Sequence, residues 1–182
     1  SLLIDIGAYV SFASLFQMNK IFVIHGVLDL DTLGAFRPYG SLFHLSSRAS
    51  FGSNVFWLDL GEKSLMSFED GASFQSKTNI EVRGEISLDF QLSETGFQTL
   101  DLGGLWDAGS AGWKDFTFNI DVSKFSAESG TSLVLMDFSS HTQVFSGEFT
   151  PEINIINDQE ELDVKLYFDT EKSQLILLVL SE

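Results

Sequence analysis

Ile80-Glu-Val-Arg-Gly-Glu-Ile-Ser-Leu-Asp-Phe-Gln-Leu92 is the stretch on which the reading of this chain turns. Ile80, Val82, Ile86, Leu88, Phe90 and Leu92 are apolar, and the residues between them are polar, charged or glycine. Side chains alternate between the two faces of a strand, so this period of two predicts a half-buried β-strand with all six apolar side chains on one side. Similar short runs follow one another along the chain, at Ile21–Leu30, Val55–Leu60, Phe116–Val122, Leu133–Phe138, Leu162–Phe168 and Gln174–Leu180. Gly, Ser, Asn and Asp separate them, as turn chemistry requires. No segment carries a capped 3.6-residue period; the best helix candidate, Asp121–Gly130, is short and broken by serines. The expectation is therefore an all-β protein.

Two kinds of repetition narrow this. LIDIGAYVSF (3–12) followed by IFVIHGVLDL (21–30) resembles LMSFEDGASF (65–74) followed by IEVRGEISLDF (80–90). Each joins an apolar strand, a Gly-Ala turn and further strands. Separately, Leu28-Asp29-Leu30, Leu58-Asp59-Leu60 and Leu88-Asp89-Phe90 recur 30 residues apart. A repeat of roughly 20–30 residues built from short strands and glycine corners is the pattern of a β-solenoid, whose coils stack strand on strand. The 2 Pro agree with it, since each strand must donate to the next coil. On this reading the 18 Phe supply stacked interior rungs, with a surplus left over for surface contacts. The alternative is a β-sandwich or jelly roll. Such folds are rich in tight hairpins, yet Asn-Gly is absent and Asp-Gly occurs once, at Asp70-Gly71. We expect one all-β domain over residues 1–182, with 151–182 as a C-terminal capping hairpin turning around Asp169–Ser173.

The 182 residues carry 10 Lys plus Arg against 26 Asp plus Glu, a formal net charge of −16. So acidic a surface argues against nucleic-acid backbone binding. Without cysteine there is no disulfide framework, thiolate metal site or thiol nucleophile. No apolar run approaches the roughly 18 residues of a membrane span. The opening SLLIDIGAYVSFASLF contains Asp5 and lacks a basic leader, so it does not read as an intact secretory signal; a mature or excised fragment is expected.

The Leu-Asp-Leu-Gly strands, Gly71-Ala-Ser-Phe74 and Val82-Arg-Gly-Glu-Ile-Ser-Leu88 resemble coils of the right-handed β-helix passenger domains of autotransporter-type bacterial surface proteins. Gly130-Thr-Ser-Leu-Val-Leu-Met-Asp-Phe138, followed by Phe145-Ser-Gly-Glu-Phe149, is similar to the way such helices end. The resemblance covers most of residues 1–150 as a pattern and matches no invariant motif. Passenger domains are usually far longer. It implies a right-handed β-helix with capping loops, an extracellular or cell-surface location and a non-enzymatic adhesive or structural role. The partners would be other copies of the chain or surface proteins.

Candidate chemistry is sparse. His25, His44 and His141 share no metal-ligand spacing, and no Gly-x-Ser-x-Gly elbow marks a serine nucleophile. Local carboxylate pairs, Glu69-Asp70 and Glu160-Glu161, are expected by chance among 26 acids, so glycoside hydrolysis ranks low. A polysaccharide lyase ranks low as well, because the basic residues are scattered. Asp recurs in predicted strands (Asp5, Asp29, Asp59, Asp89, Asp101, Asp121, Asp137, Asp163); it reads first as a solvated outer face and second as a calcium ladder. No other cofactor is expected, and the Asn157–Glu161 run is an unspecific calcium candidate. One segment stands out: Trp106-Asp107-Ala-Gly-Ser-Ala-Gly-Trp113-Lys-Asp115 sets two indoles beside carboxylates in a glycine-rich stretch. Aromatic faces stack on sugars while carboxylates take their hydroxyls, so Trp106, Asp107, Trp113 and Asp115 form a candidate glycan site. The competing reading makes the tryptophans a cap over the end of the core.

Overall fold

In the computed structural model, residues 2–5, 8–12, 16–17, 21–30, 35–37, 42–53, 57–61, 63–76, 80–101, 105–107, 112–138, 145, 147–156 and 162–180 are described. The protein is all-β. Sheet I has seven strands, in the order β1 (Leu2–Ile4), β4 (Ile21–Ile24), β7 (Leu42–Leu45), β10 (Ser64–Glu69), β13 (Ile86–Gln91), β16 (Phe116–Asp121) and β18 (Glu152–Ile156). Sheet II contains β2 (Tyr9–Phe12), β5 (Val27–Leu30), β8 (Ser50–Ser53), β11 (Ser73–Ser76), β14 (Leu100–Asp101) and β17 (Ser132–Asp137). It ends in β20 (Gln174–Val179) and β19 (Val164–Asp169). Sheet III contains β3 (Phe16–Gln17), β6 (Ala35–Arg37), β9 (Trp57–Gly61), β12 (Ile80–Arg83) and β15 (Leu105–Asp107). Up to β15 the chain visits the sheets in strict rotation, I to II to III, and each strand pairs in parallel with the one three places earlier. A sandwich of hairpins pairs neighbours antiparallel; among the described strands β19 and β20 do so, and β20 also pairs antiparallel with β17. No helix among the described residues is long and apolar enough to cross a membrane.

The register gives the true period. Along sheet I, Leu2 faces Phe22, Phe22 faces Phe43, Phe43 faces Met66, and Met66 faces Leu88. These steps are 20 to 23 residues long. The next two, Leu88 to Phe118 and Phe118 to Ile153, lengthen to 30 and 35. The 30-residue recurrence of Leu-Asp-Leu is therefore not the repeat: its three copies fall in β5, β9 and β13, one in each sheet. The Gly-Ala correspondence does hold. Ala8, Ala49 and Ala72 each donate their backbone N–H to the carbonyl three residues earlier, at Asp5, Ser46 and Glu69, at 3.0, 2.9 and 3.0 Å. Each closes the same corner between sheets I and II. Ala49 and Ala72 are buried.

Between β4 and β5 this corner is made with fewer residues, at His25-Gly26. A Cβ at Gly26 would collide with the carbonyl oxygens of Ala8 and Asp5, neither of which is a flexible side-chain tip. Gly26→Ala is expected to lower stability by about 1–3 kcal/mol, as overpacking against backbone does; chemical denaturation checks it.

The stretch Ile80–Leu92 forms two strands rather than the one expected. β12 lies in sheet III and β13 in sheet I, and the chain turns between them at Gly84, whose φ is +92°. That left-handed conformation suits glycine. Ile86, Leu88, Phe90 and Leu92 are buried as the alternation predicts. The core runs along the inner face of sheet I as rows of apolar side chains, in which Phe68 and Phe90 stand 5.9 Å apart and Phe90 and Phe118 6.4 Å apart. Among the described residues no phenylalanine is strongly exposed; the large exposed hydrophobics are Leu3, Ile153 and Ile156. The expected surplus of surface Phe is thus absent there, because the rings also fill the C-terminal end of the interior.

The segment 121–130 holds turns, not a helix. Residues 151–182 contain the expected hairpin, β19–β20, but also β18, which joins sheet I in parallel. At the hairpin turn the backbone N–H groups of Lys172 and Glu171 donate to Asp169 Oδ1, both at 3.0 Å. The Lys172 N–H above all, helped by that of Glu171 and by the Lys172 ammonium, holds the Asp169 carboxyl below its ordinary 3.8 and outweighs the desolvation that opposes it. A carboxylate lowered on folding stabilises the turn above its unfolded value and loses that effect as pH falls through the folded one. Fraying of this turn is expected only below about pH 4, measurable from its amide signals in a pH titration.

Candidate functional site

Alternation sends every second residue of sheet I outward, and the parallel register lines those residues up. One outward row reads Leu3, Val23, His44, Ser67, Asp89, Asn119, Asn154. Its first two members are apolar; from His44 onward it is polar, and hydrogen bonds link His44 to Ser67 and Asp89 to Asn119 and Asn154. His44 Nδ1 and Ser67 Oγ lie 3.1 Å apart. Asn119 Nδ2 donates to Asp89 Oδ1 at 2.6 Å, and Asn154 Nδ2 to Asn119 Oδ1 at 3.0 Å. Asp89 thus meets an amide donor rather than another carboxylate. Asp137 likewise accepts from Gln174 Nε2 at 2.9 Å. The residue in register with Asp29 on β8 is Gly52, and those in register with Asp59 include Glu81. The strand aspartates are spread over three sheets; Asp101 and Asp137 lie in register in sheet II. Among the described residues no three His, Asp or Glu side chains group to hold a metal. The Asn157–Glu161 candidate lies outside the described residues. Removing the donor in Asn119→Ala is expected to cost about 1 kcal/mol, read by urea titration.

His44 also reaches Glu69, with Nε2 3.3 Å from Oε1. Ser67, His44 and Glu69 are the residue types of a hydrolase relay. Yet Ser67 is buried mid-strand between β7 and β13, so the surrounding N–H groups are engaged in ladders and not gathered as an oxyanion hole. Ser46 Oγ donates to the Ile24 carbonyl at 3.3 Å and pairs with His25 Nδ1 at 2.8 Å. Both histidines are thus tied to the neighbouring coil. His141 lies outside the described residues.

The glycan candidates are placed unequally. Trp106 and Asp107 belong to β15, the edge strand of sheet III, in register with Glu81 and Val82. Their side chains lie outside the described residues. Trp113 opens a single 3-10 turn, Trp113–Asp115, and points inward at 4% exposure. Its ring meets Phe168 at 4.8 Å, Phe149 at 5.1 Å, Phe145 at 5.3 Å and Phe116 at 5.6 Å. So enclosed a ring leaves no face for a sugar, which corrects the expectation for Trp113 as a stacking platform. The Asp115 carboxylate accepts the Gly112 N–H at 2.8 Å and caps the turn. Asp115 also borders an open cleft of about 300 Å³, lined by Lys63, Glu85, Ser87, Lys114 and Thr117 among others. A second cleft of about 270 Å³ opens at the corner beside Ser47, Glu69, Asp70, Gln91 and Lys124. Its carboxylates already accept backbone N–H groups: Ser47 donates to Glu69 at 2.8 Å and Gln98 to Asp70 at 2.6 Å.

The asparagines of the outer row escaped the sequence reading. Their signal was the pair of long steps, Asp89 to Asn119 to Asn154, which only the register reveals. No family model, curated protein or solved structure matches this sequence.

Proposed function

We propose that the three sheets wind as a right-handed β-helix, and that the chain is a non-enzymatic structural or adhesive module of the cell surface or extracellular space. It would act through a rigid β face and through self-association. One observation carries this reading. The large hydrophobics exposed among the described residues, Leu3 at 65%, Ile153 at 38% and Ile156 at 49%, all lie on β1 and β18, the two edge strands of sheet I. Open strand edges with apolar side chains are where β proteins join. Ser67, buried within the sheet and hydrogen-bonded to a half-buried His44, favours a structural over a catalytic part for those residues.

A second reading, glycan binding, is favoured by the cleft beside Asp115, where hydroxyl, amine and carboxylate groups converge. Light scattering over a concentration series, run beside a glycan array, separates the two. Concentration-dependent oligomers without glycan signal are expected. A glycan signal lost in Trp106→Ala or Asp115→Ala, from a chain that stays monomeric, would replace the structural reading with the second.

A further inference from the structure

We propose that two copies of this chain join edge to edge through β18, antiparallel, about a two-fold axis at Asn154. This rests on the structural reading above and names the surface and the partner. β18 has β16 on one side and no strand on the other among the described residues. Its sequence, Glu152-Ile-Asn-Ile-Ile156, reads nearly alike in both directions about Asn154. An antiparallel second copy therefore sets Asn154 opposite the partner's Asn154, and Ile153 opposite the partner's Ile155 on the inner face. Ile156, half exposed in the single chain, comes to lie opposite the partner's Glu152 on the outer face, the one place where the two directions differ. Two-fold pairing of one surface with itself is the commonest way soluble chains associate.

The end of the polar row supports this arrangement. Asn154 Nδ2 donates to Asn119 at 3.0 Å and to Glu152 Oε1 at 3.3 Å, while its carbonyl oxygen accepts nothing among the described residues. Redirecting the longer bond to the partner's amide oxygen makes a reciprocal amide pair and extends the row across the axis. Joining β18 to β1 of a following copy instead would set Leu3 next to Asn154 and end the row on a leucine. The protection of this edge is confined to its start, at Pro151 and Glu152; Ile153 to Ile156 carry no charge and no proline. Each copy carries −16, so association should strengthen with salt as the repulsion is screened.

The chain has no cysteine, so single-cysteine variants report one position each. Opposed Cα atoms in an antiparallel pair lie about 4.5–5.5 Å apart, inside the ~4.4–6.8 Å range a disulfide spans. Under mild oxidation Asn154→Cys is expected to give covalent dimers, and Asn119→Cys, one strand inward, to remain monomeric. Sedimentation of Ile156→Glu, which sets a carboxylate opposite the partner's Glu152, is expected to show dimerisation weakened about tenfold or more. Its thermal midpoint at low concentration should match that of the parent, because Ile156 is exposed there. Dimers that form without a 154–154 bond would overturn this interface and leave the structural reading standing. Multimer ladders from a Leu3→Cys, Asn154→Cys double variant would replace it with head-to-tail joining. A chain monomeric at every concentration and salt would overturn both the interface and self-association.

Discussion

Trp113→Ala is expected to destabilise the protein by about 3–5 kcal/mol, the usual cost of deleting a buried aromatic ring. At the scale of a chain this size, that is a fall in thermal midpoint of roughly 6–20 °C. Four phenylalanines surround the indole: Phe116 of β16 on one side, and Phe145, Phe149 and the Phe168 of β19 on the other. Phe149 further stacks on Phe168 at 6.3 Å and faces Phe118 at 6.2 Å. The indole thus joins sheet I to the antiparallel end of sheet II. Its loss should first expose the amides of β19 and β20 to hydrogen exchange, ahead of β10 and β13. Trp113→Phe should keep most of the stability. A sugar-stacking indole would behave otherwise: its truncation would abolish binding and barely move the midpoint.

Phe90→Ala should cost a similar 3–5 kcal/mol, with a different footprint. Phe90 is fully buried in β13, the fifth strand of sheet I, and its ring meets Phe68 at 5.9 Å, Phe118 at 6.4 Å and Phe97 at 5.4 Å. Each strand in this stack touches mainly its two neighbours, so a cavity at the centre weakens the link between the halves and does not fray one end. Hydrogen exchange should then report faster opening of β10, β13 and β16 together. Phe90→Leu, which the Leu45 and Ile120 of the same row already resemble in size, should cost below about 1.5 kcal/mol. Equal effects of Phe90→Ala and Phe90→Leu in denaturant titration would show that packing of the ring is not what stabilises this layer.

The alternation at Ile80–Leu92 identified the inward residues of β13 and missed that the chain changes sheets at Gly84. A period of two says which side chains face inward; it does not say which wall of the interior they face. A corner that keeps the alternation in phase is invisible to it. The Leu-Asp-Leu triplets misled for a related reason. Leu, Asp and Leu suit any strand with one buried face, so the same three letters recur in three sheets at a spacing unrelated to the winding. The Gly-Ala corner was legible because it needs a specific backbone shape, in which the alanine N–H closes a turn and its methyl fits a confined site.

The candidate site divided along the same line. Trp106-Asp107 and Trp113-Asp115 are close in sequence, and proximity in sequence suggested one loop. The structure assigns the first pair to an edge strand and turns the Trp113 indole into the interior. Asn119 and Asn154 drew no notice as residues. They matter because a parallel register, with steps of 30 and 35 residues, sets them beside Asp89.

By itself, then, the sequence determined that this chain is all-β, which residues of its strands face inward, and that its acids decorate an outer surface. Those follow from local alternation and composition, which act within a few residues. The tertiary structure decided the rest: the 20- to 23-residue step between paired strands of sheet I, the enclosure of Trp113, the polar row from His44 to Asn154, and the edge at β18 that is open among the described residues. Each depends on which strand lies beside which, and that is set by hydrogen-bond register between segments 20 or more residues apart, where local pattern carries no information.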